Sequence, residues 1–141
     1  MAEADVVMRR HVSDWTRFWV AVHLVLCVLM AAQGVVQLLV TAETGLLKQM
    51  VIVMFVTAAV WAASCFVLMC GVAKDSHWTL VSHLIVTLLV GLLSVAHVII
   101  LGIHFYSILH VVIVVVAILS AVILAKHYAW RRHIEPLRSA Y

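Results

Sequence analysis

Between residues 79 and 126 two apolar runs meet at His104 with no proline and no glycine-rich linker between them. A hydrocarbon core of about 30 Å takes about 20 helical residues at 1.5 Å each, so each run is long enough to cross a bilayer. A short polar turn can bring the chain back only by a second full crossing. The pair therefore predicts a membrane-spanning helical hairpin, and two further runs of the same kind precede it. The predicted spans cover residues 18–40, 49–73, 78–103 and 106–125. The expected fold class is all-α: an integral membrane four-helix transmembrane bundle with both termini on the same, inner side.

Polar and small residues inside these runs recur at helical spacing, and each recurrence marks a face turned towards other helices. In the first span the stripe is His23, Cys27, Met30, Gly34 and Gln37. In the second, Thr57, Trp61, Ser64 and Leu68 share one side and Ala58, Ala62 and Cys65 another. The third carries His83, Thr87, Gly91, Ser94 and His97, and the fourth His110, Ala117, Ser120 and Ala121. Lipid tails give helices no hydrophobic drive to associate, so close backbone approach at small residues has to supply the attraction. Ala58, Ala62, Gly91, Ser94, Ala117 and Ala121 are accordingly the expected helix-packing positions.

Composition removes the soluble alternatives. The 141-residue chain is 67% hydrophobic, against roughly 45–50% in soluble domains, and its mean hydropathy of +1.20 leaves little polar surface to cover a water-exposed core. The net charge of +3 does not signal nucleic acid, because the basic residues sit at span ends instead of along one face. It sets topology. Arg9, Arg10, Arg17, Lys74, Lys126, Arg131, Arg132 and Arg138 gather on one side of a four-span chain and only Lys48 on the other, so the termini are expected to face the cytoplasm or a mitochondrial matrix. Residues 1–16 form an inner tail, 17–128 the transmembrane domain and 129–141 a basic inner tail. The first tail is too acidic for a transit peptide, and the run behind it is too long for a signal peptide; Trp15, Phe18 and Trp19 read as interfacial anchors.

Few chemistries suit such a bundle. No Asp, Glu, Lys or Arg lies inside a span, whereas coupled transport normally needs one at depth. A phosphate-cradling loop, a CxxC pair and an HExxH helix are all missing, and a Ser/His/Asp set would lack its buried acid. Catalytic residues and metal ligands are thus expected to be none. Cys27 and Cys65 read as small packing residues. Cys70, near the inner face beside Lys74, is a candidate for S-acylation.

The histidines form the one constellation with chemical meaning. If His104 marks the outer turn, His97 and His110 lie at nearly equal depth on adjacent antiparallel helices, and His23 and His83 lie at matched depth near the inner boundary. His83 and His97 are fourteen residues apart, about 21 Å along one helix. Two levels of paired imidazoles is the layout in which a membrane cytochrome stacks two b-type haems, which would make His97, His110, His23 and His83 cofactor-binding. Against haem b stands the absence of a small-residue clearing around either pair. Interhelical hydrogen bonding to Ser82, Thr87, Ser94 and Ser107 is the competing role, and under that reading no cofactor is expected.

Residues 50–97 also carry a family resemblance. Val53, Met54, Phe55 and Val56 open the second span, the KDSHW loop ends at Trp78, and Ser82 and His83 follow it; Trp130, Arg131 and Arg132 mark the exit from the last span. In these features the chain resembles MARVEL-domain proteins of the MAL and plasmolipin type, although its first span lacks an acidic residue. The resemblance implies a non-enzymatic, multi-pass protein that organises membrane lipids or binds other integral membrane proteins, itself included, in vesicle traffic or membrane apposition. It implies an endomembrane or the plasma membrane. A b-type electron-transfer protein and an accessory subunit of a large energy-transducing complex, for instance in the mitochondrial inner membrane, are the alternatives.

Overall fold

The structure, a computed structural model, describes the backbone of residues 2–40, 45–73, 77–101 and 107–138, and the side chains of 14–40, 45, 46, 48–72, 78–100 and 108–126. Of the outer loop expected at 41–48, residues 45–48 belong to a helix and 41–44 lie outside these described residues, as do the loop around Lys74 and Asp75, the turn at His104, and the arginine side chains of both tails. Four helices account for the rest: α1 (Ala2–Val40), α2 (Gly45–Ala73), α3 (His77–Leu101) and α4 (Ser107–Arg138). Each contains a stretch long and apolar enough to cross a membrane, at Asp14–Val40, Lys48–Val72, Trp78–Ile100 and Ile108–Lys126. The protein is a multi-pass membrane protein. A helix is the form such sequences must take in lipid, where every backbone N–H and C=O has to be satisfied within its own segment.

Two helices outrun the bilayer. With 39 and 32 residues, α1 and α4 extend about 58 and 48 Å, well beyond a core of about 30 Å. The expected tail at 1–16 is continuous with the first span, since no proline or glycine interrupts α1 before Gly34. Trp15, Phe18 and Trp19 meet edge to face at its membrane entry, with ring centroids 6.0 and 5.7 Å apart.

Each helix packs on the next in sequence, and α1 meets α4 more lightly to close the ring. Contact pairs run in opposite directions along neighbours: Trp61 with Thr87 and Ser64 with His83 join α2 to α3. Gly91 against Ala117 and His97 against His110 join α3 to α4. The bundle is therefore up-down-up-down. The stripes face inward: His23, Cys27, Met30, Gly34 and Gln37 on α1 are all buried, as are His83, Thr87, Gly91, Ser94 and His97 on α3.

Large apolar side chains cover the outside of every helix, among them Val28, Phe66, Leu92 and Ile118. In water such a surface would far exceed the few hundred Å² that a monomer exposes; in a bilayer it matches its solvent. Inside, Leu26, Cys27, Met30, Met54, Ala58, Trp61, Val90 and Ile113 form the main cluster, and Val20, Cys65 and Leu68 a smaller one. Three glycines permit close approaches, Gly34 among them, where a Cβ would lie 3.1 Å from the Phe55 ring. A Cβ at Gly91 would lie 3.2 Å from that of Ala117, and one at Gly71 would collide with Thr79.

Candidate functional site: two levels of buried histidine

The stripes of α1 and α3 are diagonal to each other, and their histidines are long enough to meet across the bundle axis. At the first level His23 Nδ1 lies 3.0 Å from His83 Nε2, with the rings 5.1 Å apart and both residues fully enclosed. Trp61 of α2 lies against His23 at 4.9 Å.

Protons can be assigned here by following donors. The Ser64 hydroxyl has one proton and two partners, the Trp61 carbonyl at 2.7 Å and His83 Nδ1 at 2.9 Å; with that proton on the carbonyl, the oxygen accepts from His83 Nδ1. His83 Nδ1 therefore carries that ring's proton, and Nε2 presents a lone pair. His23 Nδ1 must then donate to it, which leaves His23 Nε2 bare. That nitrogen is buried without a hydrogen-bond partner. Thr87 supports the array by accepting the Trp61 indole N–H at 3.1 Å, and its hydroxyl stands 3.4 Å from His83 Nε2. Cys65, one turn beyond Trp61, is also fully buried. Its Sγ and one nitrogen of each histidine lie within 4.8 Å of one another.

The second level is built differently. His97 and His110 stack face to face with centroids 4.0 Å apart and planes 29° off parallel. The Gln33 side-chain amide donates to His110 Nε2 at 3.3 Å, tying α1 to α4. His110 Nδ1, which then holds the proton, has no hydrogen-bond partner, and neither has His97 Nε2. Beside the rings a cavity of about 20 Å³ is lined by Met30, Met54, Thr57 and Ser94 among others. That volume suits about one water molecule.

Haem does not fit this packing. Two axial imidazoles must stand on opposite faces of a porphyrin with iron between them. Here the rings of each pair touch directly, by a nitrogen contact at the first level and a ring stack at the second. Neither pair leaves a slot for a macrocycle.

Of the expected packing positions, Ala58, Gly91, Ser94 and Ala117 are buried, while Ala62 and Ala121 are half-buried on the flanks. Cys70 is exposed. The structure brings His97 to His110 and His23 to His83, as matched depth predicted. It adds three things the sequence did not reveal: Cys65 beside the first pair, Ser64 as the group fixing its protons, and Gln33 on the second pair. The fourfold spacing of Trp61 and Cys65 was a usable signal for a shared face, but not for which histidine that face would meet. Comparison of the chain with protein-family models, characterised proteins and solved structures finds no match.

Proposed function

We propose that this is a non-enzymatic membrane organiser that engages lipid and other integral membrane proteins, or further copies of itself, through the sides of its helices. The observation that carries this reading is that the buried polar groups lie inside the bundle, among its apolar clusters, while the exterior is covered by large apolar side chains. The inward stripes hydrogen-bond across helices at His23–His83, Gln33–His110 and Trp61–Thr87, whereas the outward faces present large apolar side chains along all four helices. The interaction surface is then the lateral face. A role in vesicle traffic or membrane apposition follows from the MARVEL-type resemblance, and service as a subunit of a larger membrane complex would use the same faces.

Photo-crosslinkers placed in native membranes at Phe66, Leu92 and Ile118, all exposed, test the proposal. Discrete adducts with membrane proteins, or with one lipid class, are expected from these positions and none from a crosslinker at Leu68, which is buried. Adducts with bulk lipid alone, in its membrane-wide proportions, would refute it.

A further inference from the structure

The first histidine level has the makings of a metal site. Its three donors come from three different helices, His23 from α1, Cys65 from α2 and His83 from α3, and their ligand atoms already lie within 4.8 Å of one another. Three bonds of about 2.1 Å arranged around one ion separate their donors by about 3.6 Å, so binding would replace the 3.0 Å His23–His83 hydrogen bond and draw in donors that now lie within 4.8 Å. The surroundings are those of a ligand shell. Ser64, at 2.9 Å from His83 Nδ1, leaves Nε2 as the nitrogen with the lone pair, the outer-shell arrangement that orients metal-bound imidazoles; that lone pair accepts from His23 Nδ1 at 3.0 Å, a bond that an ion would replace. His23 Nε2 is a bare nitrogen with no partner in the protein, on a residue that is 0% exposed.

Charge selects the ion. Among the described residues the Asp, Lys and Arg side chains of the spans stand at their ends, at Asp14, Arg17, Lys48 and Lys126, so a charged site would be costly in this apolar interior. Binding exchanges the thiol proton for the metal: the S–H bond of Cys65 breaks, the proton leaves to solvent, and the thiolate and two neutral imidazoles hold the cation. With Cu(I) the sum is zero. With Zn(II) one positive charge remains, and only three donors are offered where structural zinc takes four. Thiolate and imidazole donors also suit soft Cu(I). The geometry points to His23, Cys65 and His83 as a buried Cu(I) site that staples α1, α2 and α3 together. It is independent of what the lateral faces bind.

The full-length protein in nanodiscs, titrated anaerobically with Cu(I) against bicinchoninate, tests this. One Cu(I) per chain is expected, with an X-ray absorption shell of one sulfur and two nitrogens. Because its ligands lie on three helices, bound Cu(I) should also raise the thermal midpoint. Cys65→Ser and His83→Gln should each weaken binding at least tenfold, while Cys70→Ser, at an exposed position, should leave it unchanged. The absorption shell is read on the unmodified protein, so the test survives a variant that misfolds. Failure to compete with bicinchoninate, binding of Zn(II) in preference, or a shell that persists in Cys65→Ser and is lost in Met54→Leu would each overturn the assignment. The last result would place copper at the second level.

Discussion

At the first level His23 and His83 meet nitrogen to nitrogen, within a chain of hydrogen bonds that passes through Ser64 and ends on the Trp61 carbonyl as acceptor. At the second, His97 and His110 lie ring on ring, and two of their four nitrogens face the interior without partners. The same side chain thus does two jobs in one bundle. Where a hydroxyl from a third helix is in reach, imidazole becomes a directional link with a fixed proton. Where the neighbours are Met30 and Met54, it is a flat packing element whose polarity is only half used. Burying a polar atom unpaired costs about 1–3 kcal/mol, so the second level, with two such nitrogens against the single His23 Nε2 of the first, gives up more stability.

The largest break in this comparison should come from Trp61→Ala. Trp61 is completely buried, donates to Thr87, lies against His23 and belongs to the main apolar cluster. Removing it takes a support from the first level and opens a cavity next to the cluster that reaches the second. A loss of about 3–5 kcal/mol, the usual cost of deleting a buried Trp, is expected in reversible unfolding in mixed micelles. The second level holds no side chain of comparable reach, so Met54→Ala should cost less. Equal losses would mean that the two levels are mechanically one.

Why the levels differ was only partly legible in the sequence. Span positions could be read because apolar runs of bilayer length have no other stable form, and the inward faces because polar residues three and four apart share a helix side. The pairing of His97 with His110 followed from counting outward from His104. Ser64 and Cys65 were placed on separate faces of the second span, and nothing in their spacing shows how far α2 is rotated against α1 and α3. That rotation depends on packing details such as Trp61 against His23 and Gly71 against Thr79. Gln33 was out of reach for a similar reason. Three residues after Met30 and four before Gln37 it shares the side of the α1 stripe, but its bond to His110 spans 77 residues.

A break of middle size is expected at His83. In His83→Ala the proton of His23 Nδ1 and the acceptor side of Ser64 lose their partner together. The cost should be about 1–3 kcal/mol for stranded polar groups. Ser64→Ala removes only the outer hydroxyl and should cost less, about 1 kcal/mol. A double-mutant cycle between Ser64 and His83 separates the two, since neighbours in one network couple by about 0.5–3 kcal/mol. Additive losses would show that the proton chain drawn from Ser64 to His23 is not a working unit.

Helix approach supplies a smaller contrast. Ala at Gly71 would put its Cβ into Thr79, whereas Ala at Gly91 would meet Ala117 at 3.2 Å, a gap that a shift of a few tenths of an ångström relieves. Forcing volume into a packed site costs about 1–3 kcal/mol. Gly71→Ala should fall in that range and Gly91→Ala below it, measured as shifts in thermal midpoint. The reverse order would indicate that the α3–α4 contact is the more rigid of the two.

The smallest effect is expected at His97. A phenylalanine there keeps a flat ring against His110, removes the unpartnered Nε2 and has the adjacent cavity of about 20 Å³ to take up its extra volume. Substituting an apolar group of similar shape for an unsatisfied polar one is near neutral or stabilising. His97→Phe should therefore change stability by no more than about 0.6 kcal/mol, the typical worth of one interhelical hydrogen bond in a membrane protein. His83→Phe, with nearly the same change in side chain, should destabilise through the loss of Ser64 and His23 contacts. If His97→Phe proves as damaging as His83→Phe, the bare nitrogens of the second level have a partner in the membrane-embedded protein, and the two levels are alike after all.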